Sequence, residues 1–132
     1  MTTTSPRRPT VAILGASADR SKYGNKSLRA HHRQGYDVYP VNPKGGQIEG
    51  LAVYRSLSEV PVQPLDRISV YLPPDVVLGA LEEIARVGCG ELFLNPGSER
   101  DDVVHRAEAL GLSPIVACSI VDVGMRPSDL GD

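Results

Sequence analysis

The chain has 132 residues, 41% of them hydrophobic, and 14 Lys and Arg against 16 Asp and Glu give a formal net charge of −2. A chain of this size builds one core and buries roughly 65–70% of its extended-chain surface, and its charge balance offers no bulk attraction to nucleic acid or anionic lipid, so any anion is held by local groups. No run approaches the roughly 20 apolar residues of a membrane-spanning helix, residues 1–9 hold no signal-peptide core, and Cys89 and Cys118 suit neither a disulfide framework nor CxxC zinc spacing, so a cytoplasmic protein with two reduced thiols and no metal is expected.

Residues 1–9 are polar and contain two prolines, which predicts a mobile tail ahead of a domain over residues 10–124. Residues 11–14, Val-Ala-Ile-Leu, form a continuous apolar run, as in a strand covered on both faces. A turn of small and polar residues follows, and residues 25–34 read as a helix stopped by Gly35. Residues 37–41 read as a second strand, which Pro40 assigns to the sheet edge because proline has no amide to donate. After a turn-rich loop at 42–46 comes a short strand at 51–54, and Ser56 and Glu59 have capping-box spacing.

Residues 67–72 form the next strand, ended by Pro73 and Pro74. Residues 75–87 place Val77, Leu81, Ile84 and Ala85 on one helical stripe that Gly88 closes. A strand at 91–94 and a turn at 95–97 lead to Ser98 and Asp101, which resemble a capping box for a helix carrying Val103, Val104, Ala107 and Leu110. A last strand at 115–118 and a loose tail over 125–132 complete the chain. Strand and helix alternate throughout, so the expected class is α/β: a doubly wound parallel sheet, Rossmann-like, in a single domain.

In such a sheet the ligand crevice lies past the carboxyl ends of the strands, so the loops after the first, second and fourth predicted strands should converge. The first holds Gly15, Ala16, Ser17, Ala18, Asp19, Arg20, Lys22, Tyr23, Gly24 and Asn25, the second Asn42, Pro43 and Lys44, and the third Leu72, Pro73 and Pro74. Gly15 lets a phosphate approach the backbone, the following helix favours negative charge, and Arg20 and Lys22 add cations. The turn departs from GxGxxG, having Ser17 and Arg20 where that fingerprint has its later glycines. The second strand ends on Asn42-Pro43-Lys44 with no carboxylate for a ribose, which suits a phosphorylated adenosine: coenzyme A or NADP, if Lys44 is not simply a solvated loop lysine.

Gly15-Ala16-Ser17 with Lys22-Tyr23-Gly24, then Tyr39-Pro40-Val41-Asn42-Pro43-Lys44, Tyr54-Arg55-Ser56-Leu57 and Val70-Tyr71-Leu72-Pro73-Pro74, together resemble the CoA-binding domain family over residues 10–121. That family is similar to the N-terminal domain of the succinyl-CoA synthetase alpha subunit and of ADP-forming acyl-CoA synthetases. The resemblance implies coenzyme A or acyl-CoA as ligand. It places Ser17, Ala18, Asp19 and Arg20 around its phosphates, Lys44 on or beside a ligand-contacting lysine, and Leu72-Pro73-Pro74 against the nucleotide. The synthetases' further domains do not fit in 132 residues.

A binding module without catalysis of its own is therefore expected, with a small-molecule ligand, no nucleic-acid or membrane partner, and an unidentified protein partner left open. An NADP-binding reductase-like protein and a ligand-free interaction domain are the alternatives. His31, His32 and His105 read as surface or packing residues, and Cys118, ending a predicted strand on the crevice side, reads as a small hydrophobe or a reactive thiol.

Overall fold

The computed structural model describes residues 7–131. In chain order it contains β1 (Thr10–Leu14), α1 (Tyr23–Arg33), β2 (Asp37–Val41), β3 (Gln47–Ile48), β4 (Leu51–Ala52), β5 (Leu65–Val70), α2 (Pro74–Val87), β6 (Cys89–Leu94), α3 (Asp101–Ala109), β7 (Pro114–Val116) and α4 (Ser119–Asp122). Single 3-10 turns occupy Leu57–Glu59 and Pro127–Asp129.

Five strands make one parallel sheet in the order β2-β1-β5-β6-β7. The chain winds outward from β1 to β2, then returns across to β5 and continues in the other direction. The switch point therefore falls between β1 and β5. Side chains alternate along β1, so Val11 and Ile13 meet Leu28 of α1 on one face, while Ala12 and Leu14 join Val77, Leu81 and Ile84 of α2 and Val103 and Ala107 of α3 on the other. The stripe predicted for α2 is thus the one that faces the sheet.

β2 is an edge strand, as Pro40 requires. In a parallel strand a residue's N–H and C=O point the same way, and the Pro40 carbonyl accepts from the Tyr54 amide outside the sheet, so the missing amide also lies outside. The strand expected at 51–54 is shorter and belongs to a hairpin. β4 pairs antiparallel with β3, and Tyr54 alone makes a parallel bridge with Val41.

Three expectations near the ends of elements change. Ser98 does not cap α3; its hydroxyl accepts from the Leu72 amide and donates to the Val70 carbonyl, and Arg100 is the residue flanking the helix. The last strand stops at Val116 because Cys118 already leads into α4. The segment expected to be loose from Met125 turns back instead, and Leu130 is fully buried with Ala30 and Ile120. Residues 1–6 of the expected tail lie outside the described residues; Arg7 makes a two-pronged pair with Asp66 at 2.8 and 2.9 Å, and the Pro9 carbonyl accepts from the Asp37 amide.

Candidate functional site

β1 ends at Gly15, whose φ of +85° is open to glycine without strain. A Cβ at Gly15 would overlap the Tyr71 carbonyl oxygen, and a Cβ at Gly24, in the first turn of α1, would overlap the Gly15 carbonyl oxygen. The loop is thus pinched between the end of β5 and the start of α1. Gly24 provides the close helix-to-strand approach that the third glycine of GxGxxG provides elsewhere, at a wider spacing because this loop is longer.

A cleft of about 590 Å³ opens at the switch point. Of the expected site residues, Gly15, Lys22, Tyr23, Gly24, Leu72, Pro73 and Pro74 line it, joined by Ser21, Tyr71 and, from the loop after β6, Pro96, Gly97 and Ser98. Ala16, Ser17, Ala18, Asp19 and Arg20 belong to the same first loop outside that lining, and Asn25 lies in the first turn of α1. Asn42, Pro43 and Lys44 follow β2, on the far side of β1 from the cleft, and Lys44 is exposed. Convergence is therefore tightest between the loops after β1, β5 and β6, because those strands flank the switch point.

The first loop is held from behind. The Asn42 amide donates to the Ala16 carbonyl at 2.9 Å and its carbonyl oxygen accepts from the Lys44 backbone amide at 2.8 Å. The Asn25 amide donates to the Ser17 carbonyl at 2.9 Å and to Glu49 at 3.3 Å, and its carbonyl oxygen accepts from Arg29 Nε at 2.7 Å. Arg29 also donates to the Arg20 carbonyl, and Glu49 pairs with Arg20 Nε at 3.4 Å. Within the loop, the Ser21 hydroxyl and amide donate to Asp19 and hold its carboxyl below the ordinary range.

The wall between the cleft and α4 is a buried polar network. Asn95 donates to Ser69 Oγ at 2.9 Å and accepts from the Ser119 amide at 2.8 Å, while Ser119 Oγ lies 2.7 Å from Ser69 Oγ and 3.0 Å from the Tyr71 hydroxyl. Burial pushes the Tyr71 phenol up from its ordinary pKa. The network fixes the ring that forms the cleft wall, and only the chain's return through β6 and α4 assembles it.

The three histidines divide as expected between surface and packing. His32 and His105 are exposed and His31 is fully buried. His31 Nδ1 lies 2.8 Å from the Ser27 carbonyl and its Nε2 3.2 Å from Arg67 Nη1. Those partners require a neutral ring protonated at Nδ1, and burial lowers its pKa to about 4. Arg67, equally buried, pairs with Glu91 and Asp122 and lies over the rings of Tyr36 and Phe93. Burial raises the Cys89 thiol to about 11, away from thiolate chemistry at neutral pH. Among the described residues no group of three His, Cys, Asp or Glu gathers to hold a metal, and no helix is long and apolar enough to cross a membrane.

Glu49, Arg29, Tyr71, Asn95, Pro96, Gly97 and Ser98 were not singled out from the sequence as site residues. Glu49-Gly50 between Ile48 and Leu51, with glycine in the second turn position, was a usable hairpin signal. The others come together only through tertiary contacts.

Parallel order, a glycine turn after the first strand and a cleft at the switch point define a Rossmann-like nucleotide-binding architecture. The chain matches the model of the CoA-binding domain over residues 9–124 and belongs to that family. It is 36% identical to the alpha subunit of an ADP-forming acetate–CoA ligase from Pyrococcus furiosus, over 91% of this chain and 29% of that one. It is 31% identical to a prokaryotic trans-feruloyl-CoA synthase, over 67% of this chain and 13% of that enzyme. The chain thus spans less than a third of the length of these relatives.

Among solved structures, a conserved hypothetical protein from Pyrococcus furiosus superposes with a TM-score of 0.77 at 34% identity, covering 88% of this chain and 99% of that one. A dinucleotide-forming acetyl-coenzyme A synthetase from Ca. Korarchaeum cryptofilum, in complex with phosphate and ADP, superposes with a TM-score of 0.70 at 29% identity over 82% of this chain and 25% of the synthetase.

Proposed function

We propose that this chain binds coenzyme A or an acyl-CoA in the switch-point cleft and acts as a holder without catalysis of its own. The observation that carries the reading is the pinched glycine loop, Gly15 against Gly24, opening on a cleft lined by Lys22 and Leu72-Pro73-Pro74 in a member of the CoA-binding domain family. The residues fit an anionic nucleotide: glycines admit it to the backbone, Lys22 supplies positive charge, and the prolines and Tyr71 give apolar contact. The cleft lining consists of Gly, Ser, Lys, Tyr, Leu and Pro, with no His, Cys, Asp or Glu among the lining residues. Lys44, exposed beside the Asn42 turn, is assigned to the 3′-phosphate at the outer end of the ligand.

Calorimetric titration with CoA, 3′-dephospho-CoA and NADP tests the reading. CoA is expected to bind more tightly than NADP, and a flat CoA trace at low salt sinks the proposal. Lys44→Ala is expected to weaken CoA by roughly tenfold while leaving 3′-dephospho-CoA nearly unchanged, the size expected for one charge-assisted hydrogen bond. Equal loss for both ligands removes Lys44 from the 3′-phosphate.

A further inference from the structure

The first loop contains a positioning apparatus. Asn25 is fully buried, and both hydrogens of its amide and its carbonyl oxygen are engaged inside the protein, with Ser17, Glu49 and Arg29. It has nothing left to offer a ligand directly. Asn42 holds the preceding carbonyl, that of Ala16. Asn42 reaches the loop from the end of β2, and Asn25, in the first turn of α1, turns its amide to the hairpin side, where it is shared with Glu49 at the tip between β3 and β4.

In a trans peptide the C=O and the following N–H lie in one plane and point in opposite directions. Holding the Ala16 and Ser17 carbonyls on the hairpin side therefore turns the amides of Ser17 and Ala18 away from it. Neither amide donates a hydrogen bond to any described residue. Two successive free amides of fixed orientation are a local anion receptor that needs no net charge.

Glu49 supports the same arrangement from a conformation that ordinarily selects glycine or asparagine. It has a φ of +50° beside Gly50 at +79°, the two central positions of a two-residue hairpin turn. A non-glycine residue there costs on the order of 1 kcal/mol, and the observed outlier points to what its side chain does. The carboxylate takes the second Asn25 hydrogen and draws Arg20 Nε towards the hairpin.

We propose that Asn25, Asn42 and Glu49 are positioning residues: they lock two peptide planes of the first loop so that the Ser17 and Ala18 amides present paired donors to a phosphate oxygen of a diphosphate-bearing ligand. This rests on the ligand-holding reading above and adds what gives the loop its shape. Arg20, held by Glu49, braces the loop from the hairpin side, and the phosphate meets neutral amides together with Lys22.

Nitrogen-15 amide spectra during titration with CoA, and separately with inorganic pyrophosphate, test this. In the unsubstituted protein the Ser17 and Ala18 amide protons are expected to move downfield with either ligand. Asn42→Asp puts a carboxylate oxygen where the donor to Ala16 was and should suppress the Ser17 shift; Asn25→Asp should suppress the Ala18 shift. Each should lower CoA affinity by about tenfold, the loss of one well-placed hydrogen bond. Glu49→Gln keeps an acceptor for Asn25 and should bind within about twofold of the original, whereas Glu49→Ala should not.

A merely structural role would not separate the two amides in this way. Should Asn25→Asp unfold, Asn42→Asp and Glu49→Ala at less buried positions carry the test, with circular dichroism reporting the fold. Binding of CoA with both amides unmoved, or unchanged affinity in the aspartate variants, overturns the inference. A flat CoA trace with the unsubstituted protein overturns the coenzyme reading alone. The pyrophosphate arm then decides: shifts at Ser17 and Ala18 sustain the positioning role, and their absence ends it.

Discussion

Gly24 shows how much one missing methyl group decides at this site. Gly24→Ala drives a Cβ into the Gly15 carbonyl, so either the loop or α1 must move; a cost of about 1–3 kcal/mol in urea unfolding and loss of measurable CoA binding by calorimetry are expected. His31 makes a second prediction at this scale. Its folded pKa of about 4 lies below the ordinary 6.5, so between those values the unfolded chain takes a proton that the native ring, facing Arg67, refuses. Stability should therefore fall as pH drops from 6.5 towards 4, by up to about 3 kcal/mol, and His31 should add no slope above pH 7. Glu91, Asp122 and Tyr36 surround the same arginine, and Asp66, held down to about 2 chiefly by the Arg7 hydrogen bond, loses its contribution only below about pH 4. Urea unfolding from pH 4 to 7.5 reads this slope, and His31→Gln should remove it. A packing role was among the readings the sequence offered for His31; its tautomer was not legible, because it depends on Arg67, which reaches His31 from β5 across 36 positions of the chain.

Elements with a strong period were legible, and those held by one distant contact were not. The stripe of Val77, Leu81 and Ile84 announces α2, and the apolar run of β1 announces a central strand, since each encodes its burial in its own spacing. Ser98 has the local spacing of a cap and is taken instead by the backbone at the end of β5, a partner no window of sequence contains. The site divides in the same way. Loops after β1 and β5 were legible from glycine and proline; the loop after β6 joins them only because the sheet order places β6 next to β5. The chain's end is the clearest case of a tertiary override. Leu130 closes the space between α1 and α4, so Leu130→Ala should lower stability by about 2 kcal/mol, whereas a loose tail would give no change in the urea midpoint.

For the molecule as a whole, a formal charge of −2 and a cleft with Lys22 as its basic lining residue mean that the proposed affinity for an anionic nucleotide rests on fixed short-range geometry. Linkage provides a check independent of calorimetry. CoA at a hundredfold above its Kd should stabilise the fold by about 2.7 kcal/mol, raising the thermal midpoint by roughly 10 °C for a chain of this size. The two edges of the sheet carry a different consequence. A bare strand edge is a template on which other chains crystallise into fibrils, and here each edge is blunted. On one side Pro40 lacks the donor that would lengthen the ladder beyond its single bridge to Tyr54; on the other β7 is three residues long and begins with Pro114. The sheet that carries the glycine loop thereby offers another chain little free ladder at either margin, even where Ile115 and Val116 of β7 stay exposed.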